Sequence, residues 1–216
     1  KLGIIYTIGP YLLPDLVRQC IQRTPQMPLM LQENFTVKLL EMLRTGEIDC
    51  AIMAEPFPAT GLALAPLYDE PFMAALPAAH PLAQANAVRS EELKSETMLL
   101  LGNGHCFRDH VLEVCPEFAR FSSNAEGIRK SFEGSSLETI KHMVAAGMGV
   151  TLVPRLSVPA DAVLPDPAAG SGKSTRAAKA VKGAKSRAGR GRKGDEAQVR
   201  YLPITDAQGG APPTRR

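Results

Sequence analysis

This sequence predicts an α/β fold in two similar lobes, and three observations predict it. Strand-like and helix-like segments alternate from Lys1 to Ala54. The alternation resumes after two extended runs that meet at Pro71. Hydrophobic residues make up 44% and charged residues 22% of 216, enough apolar material for a packed core in one domain or two small ones.

The elements follow in order. KLGIIYT reads as a strand. GPYLLPDLVRQCIQRTP is amphipathic, with Leu12, Leu16 and Cys20 at helical spacing and Pro25 beyond its end. PLMLQEN is a second strand, and TVKLLEMLRTG a second helix stopped at Gly46. IDCAIMA is a third strand. This βαβαβ order calls for a parallel sheet flanked by helices. LALAPLYDEPFMAALP supplies two extended runs and a crossing point between lobes. RSEELKS is a short helix and MLLL a buried strand; the next helix runs from about Cys106 to Phe118. SSLETIKHMVAAG places Ser135 and Glu138 at capping-box spacing and ends at Gly147. GVTLVP and VRYLPI are further strands. The expected lobes are 1–70 with 160–216, and 71–159, the second carrying the helix that opens at Cys106.

Composition narrows the function. The longest apolar runs are too short to span a membrane, and no signal-peptide pattern opens the chain. The abrupt start reads as that of a fragment of something longer. The net charge of +3 is uneven: residues 166–200 hold ten Lys or Arg against three Asp or Glu, a local +7 that leaves −4 for the rest. Residues 166–198 have no large apolar side chain and are expected to be a disordered basic loop. GSGKST within it lacks the leading Gly, strand and helix of a phosphate-binding loop.

Four cysteines, at 20, 50, 106 and 115, form no C-x-x-C pair, which argues for a reducing, cytoplasmic setting. Cys20 and Cys50 read as buried packing residues. Cys106 is different. It opens a helix, follows His105, and precedes Arg108 by two residues, and each feature favours thiolate over thiol. Cys115 shares an apolar helix face with Phe107, Val111 and Phe118. Nine helical residues rise roughly 13 Å, whereas a disulfide needs Cα atoms within about 7 Å. Bonding Cys106 to Cys115 would therefore require the helix to refold, as in a redox switch with a sulfenic acid at Cys106. A metal site using His105, Cys106 and His110, and Cys–His hydrolase chemistry with His110, are weaker local alternatives. In a parallel α/β sheet, ligands bind beyond the carboxyl ends of strands. Thr7 and Thr36 fall at such ends, as does the GNGHC turn before Cys106.

TIGPYLLP, GEIDCAIMA, YDEPFMAALP, GHCFRDHVLEVC, SLETIKHMVAAGMGVTLVP and VRYLPI together resemble the hydrogen-peroxide sensors among the LysR-type transcriptional regulators. The resemblance covers roughly 1–160 and resumes at 199. It implies a regulatory domain with two Rossmann-like lobes, like type 2 periplasmic binding proteins, that is a switch and not an enzyme. It implies Cys106 as the peroxide-reacting residue and Cys115 as its disulfide partner, with Thr7, Thr36, His105 and Arg108 around the peroxide. Arg215 or Arg216 corresponds to an arginine lining that site. It implies no cofactor and no metal. The implied partners are hydrogen peroxide, further copies of the chain in a tetramer, promoter DNA through an N-terminal winged helix-turn-helix that this chain lacks, RNA polymerase, and glutathione or glutaredoxin as reductant. A LysR-type or solute-binding module for a small organic anion, and a thiol peroxidase, are the competing functions.

Overall fold

Strand β1 (Leu2–Ile5) is the centre of the first sheet and is buried at all four residues. It pairs in parallel with β2 (Leu31–Asn34) on one side and β3 (Cys50–Ile52) on the other. The computed structural model describes residues 1–116, 133–162, 199–205 and 213–215. Helix α1 (Gly9–Arg23) begins with Pro10 in its first turn, where the missing N–H costs no bond. It also carries Pro14 in its interior. Helix α2 (Thr36–Arg44) stops at Gly46, whose φ of +73° suits a residue without Cβ. A Cβ on Gly3 would stand 2.6 Å from Leu39 Cδ2 and 2.7 Å from Ile48 Cδ1. The missing side chain lets α2 lie directly on β1. Ile4, Ile5, Ile8, Leu39, Met42 and Ile48 close this first core.

Strand β4 (Glu70–Pro77) organises the second half. Its run from Phe72 to Leu76 is buried on both faces, so it reads as continuous apolar sequence and not as alternation. It pairs antiparallel with β8 (Thr151–Pro154), β9 (Val199–Thr205) and β10 (Thr214–Arg215). β5 (Val88–Arg89) adds parallel to β9. β6 (Leu100–Leu101) pairs with β7 (Glu133–Gly134). Helices α3 (Cys106–Val114) and α4 (Leu137–Ala145) pack on this larger core through Phe107, Val111, Leu137, Ile140 and Val144.

Four expectations change. Residues 199–205 were expected with the first lobe, but β9 pairs with β4 and β5, because the VRYLPI strand finds its hydrogen-bonding edge in the second sheet. Residues 62–69, expected as an extended run, join no ladder. Cys50, expected in a core, is exposed at the start of an edge strand. The capping box does not form at α4: Ser136 is the cap residue and makes no side-chain cap bond. Glu138 is drawn instead to the Tyr11 hydroxyl and to Lys141 Nζ at 2.9 Å. The Tyr11–Glu138 bond ties α1 to α4 across the two halves, and Lys141 also donates to the Ser157 carbonyl at 2.9 Å. Burial and the Glu138 hydrogen bond push the Tyr11 phenol far above its usual range. Phe118 and the basic loop 166–198 lie outside the described residues.

Candidate functional site

The parallel register sets the site. Ile5 stands beside Asn34, so the next two residues of each chain segment emerge at one level: Tyr6 near Phe35, and Thr7 near Thr36. The GNGHC turn approaches from the other half. Gly104 adopts φ +95°, a conformation open to glycine, and delivers His105 as the N-cap of α3 with Cys106 as its first residue. These segments line one cavity of about 170 Å3, its open mouth included, with Thr7, Thr36, His105 and Cys106 on its walls.

Each wall has a distinct character. Thr7 is buried, and its Oγ1 accepts a hydrogen bond from Arg215 Nη1 at 3.3 Å. Arg215 is in turn gripped by Glu70, whose Oε2 accepts from Nε at 3.0 Å and Nη2 at 2.8 Å. The guanidinium lies 4.9 Å over the Phe107 ring. Thr36 Oγ1 is buried with no hydrogen-bond partner among the described residues, a polar atom aimed at a space a small hydroxylated molecule could fill. His105 is buried, which pushes its pKa down and favours neutral imidazole; a hydrogen bond to the Ser135 backbone opposes the shift. Cys106 is half-buried and packs against the first core.

Of the six predicted site residues, four meet at this cavity and two do not. Arg108 turns away and donates from Nη1 to the Leu101 carbonyl at 3.0 Å. Cys115, at the far end of α3, is 0% exposed inside the second core. None of the four cysteines is in a disulfide. The helix between Cys106 and Cys115 is intact, so the refolding argument made from spacing keeps its physical basis. Sequence reasoning missed Glu70, Tyr6 and Phe35. A lone acid opening an apolar strand was the available signal for Glu70, since such a charge needs a buried partner. Nothing in the sequence alone marked the two aromatics.

A second cavity of about 520 Å3, open solvent included, lies further along α3 between Glu55, His110, Glu113 and Arg215. The His110 Nδ1 has no hydrogen-bond partner among the described residues. Burial and the nearby Arg215 charge push the His110 pKa down, partly offset by Glu113 and a hydrogen bond to the Glu55 backbone. Among the described residues no three His, Cys, Asp or Glu side chains are placed to hold a metal ion. No described helix is long and apolar enough to cross a membrane.

The LysR substrate-binding domain profile matches residues 1–169. The chain belongs to the LysR substrate-binding domain family. A hydrogen peroxide-inducible genes activator of Pectobacterium carotovorum is 39% identical over 158 residues, which is 73% of this chain and 50% of that protein. The chain thus spans about half the length of the curated relatives it matches. A reduced form of OxyR from N. meningitidis superposes with a TM-score of 0.75 at 35% identity, covering 100% of this chain and 82% of the other. The reduced OxyR regulatory domain of Pseudomonas aeruginosa gives 0.70 at 38% identity, covering 99% and 83%. The two-lobed, type 2 periplasmic-binding-protein-like α/β fold expected from the sequence is the fold of this LysR domain. Its cavity lies where the carboxyl ends of β1 and β2 face the start of α3.

Proposed function

We propose that this LysR substrate-binding domain is the peroxide-sensing half of a transcriptional regulator, switched by a disulfide between Cys106 and Cys115. The observation that carries the reading is the joint placement of Thr7, Thr36, His105 and Cys106 around one small cavity, with Cys115 held away in a different core. Two hydroxyls and a neutral imidazole supply donors and acceptors that match both oxygens of hydrogen peroxide. The Cys106 thiolate attacks one peroxide oxygen, the O–O bond breaks, and the departing hydroxide takes a proton to become water. Cys106 is left as a sulfenic acid. The Cys115 sulfur then attacks the Cys106 sulfur, the S–O bond breaks, and a second water leaves. One peroxide is reduced to two waters as two thiols become one disulfide. Arg108 donates to the Leu101 carbonyl and is not among the residues lining the cavity.

The rest of the reading concerns the longer protein. Promoter DNA is bound by an N-terminal winged helix-turn-helix, copies associate as dimers and then a tetramer, and the oxidised form engages RNA polymerase in the cytoplasm. Glutathione or glutaredoxin returns the disulfide to thiols, and no turnover of substrate is required. The relatives' description as gene activators supports this reading. The test is one molar equivalent of hydrogen peroxide added to the reduced chain, followed by peptide mass mapping. The reading requires loss of two hydrogens located at Cys106 and Cys115. Thiols left intact at micromolar peroxide would point to an organic-anion module instead, and continuous peroxide consumption with a reductase to a peroxidase.

A further inference from the structure

The mouth of the cavity repeats one pattern twice. At the end of β1 the chain reads Tyr6–Thr7, and at the end of β2 it reads Phe35–Thr36. In each pair the threonine is buried and the aromatic, 38% exposed, lines the same cavity on its solvent side. The two rings meet edge to face, with centroids 5.2 Å apart at 71°. Both also meet the His105 ring edge to face: Phe35 at 4.9 Å and 73°, Tyr6 at 6.0 Å and 62°. Three rings thus close a triangle beside Cys106. Such pairs hold their geometry beyond simple burial. The Phe35 ring also packs over Gly104, where an added Cβ would lie 3.4 Å from two of its ring carbons.

An aromatic pair that packs on no core and costs exposed apolar surface needs a reason at this place. We propose that Tyr6 and Phe35, braced on His105, form a steric collar that sets which hydroperoxides reach Cys106, admitting hydrogen peroxide and excluding branched or aryl hydroperoxides. This rests on the peroxide reading of the same cavity. Cumene hydroperoxide, with an aryl ring and two methyl groups beside its O–O bond, could bring its distal oxygen to the sulfur only by displacing one of the rings. The chemistry at sulfur is the same for either oxidant: the distal oxygen is transferred to the Cys106 thiolate, and water or the alcohol leaves after taking a proton.

The experiment measures oxidation of Cys106 in the reduced 216-residue chain by hydrogen peroxide and by cumene hydroperoxide, following thiol loss by rapid alkylation and mass spectrometry. The ratio of the two rate constants is compared among the parent chain, Phe35→Ala, Phe35→Leu and Tyr6→Ala. Removing a ring should raise the cumene-to-hydrogen-peroxide ratio by roughly tenfold or more, on the scale by which pocket bulk discriminates. Phe35→Leu, which keeps apolar bulk but not the flat ring, should fall between. A ratio within twofold of the parent in folded Phe35→Ala and Tyr6→Ala chains overturns the collar; if either alanine variant fails to fold, Phe35→Leu decides by the same criterion. Failure of hydrogen peroxide to oxidise Cys106 in the parent overturns the underlying peroxide reading instead, so the two failures are distinct.

Discussion

Replacing Glu70 by alanine should be among the most damaging single changes available outside the apolar cores. The Glu70 and Arg215 side chains are 4% and 2% exposed. Glu70 accepts from Arg215 Nε and Nη2 and, through Oε1, from the Leu156 N–H at 2.8 Å. Removing it strands a guanidinium in a protein interior, left among the described residues with Thr7 Oγ1 and the Phe107 ring. Breaking a buried pair from one side costs about 3–5 kcal/mol, a large share of the roughly 5–15 kcal/mol that holds a domain folded. With a urea slope of about 3 kcal/mol per M, the unfolding midpoint should fall by about 1 M or more. Chemical denaturation followed by circular dichroism reads this directly. Adding Arg215→Met to Glu70→Ala should recover a substantial part of the loss, because the uncompensated charge is then gone. Glu41→Ala, which breaks the exposed contact with Lys38 at 3.0 Å, should leave the midpoint unmoved. A Glu70→Ala midpoint within 0.3 M of the parent, on the same approximate slope, would refute the claim that this pair is desolvated and that β10 is pinned through it.

Three further outcomes are expected. Thr36→Val replaces a partnerless buried hydroxyl with a methyl group, so stability in urea should hold or rise while the rate of Cys106 oxidation by hydrogen peroxide falls; a stability loss above ~1 kcal/mol would mean the hydroxyl is satisfied in the folded chain. Gly104→Ala forces an L side chain to φ +95°, which should cost about 1–2 kcal/mol and slow Cys106 oxidation together, by denaturation and thiol labelling. His105 and His110 both have pKa values held below the ordinary 6.5 chiefly by burial. The unfolded chain therefore binds protons first as pH falls, and stability is lost below about pH 6.5, by at most about 1.4 kcal/mol per pH unit per histidine. His110→Gln should flatten that decline between pH 7.5 and 5.5, and an unchanged slope would remove His110 as a contributor.

The parallel first sheet was legible because its three strands and two helices follow one another with short connections, so local pattern and tertiary pairing agree. β9 was not, because its partner β4 lies more than a hundred residues earlier and a strand pattern carries no address. The capping box at Ser135 and Glu138 failed for a related reason: a tertiary contact with Tyr11 and Lys141 outcompetes a local one. At the site, Thr7, Thr36 and Cys106 were found by the rule that strand ends and helix starts face the ligand space. Arg108 was placed by resemblance, and its side chain instead satisfies the Leu101 carbonyl. Glu70 was missed because a buried ion pair is a property of two distant segments, visible only once β10 lies against β4.

Helix α3 has one end rooted in each half of the molecule: Cys106 rests on the core of the first sheet, and Cys115 is sunk in the core of the second. A covalent link between its ends thus cannot be a small adjustment within one body; it withdraws a beam that both halves lean on. On the peroxide reading proposed above, each chain's response to oxidant is stepwise and not graded. It also carries memory, because rinsing the oxidant away leaves the link in place until an electron donor cuts it.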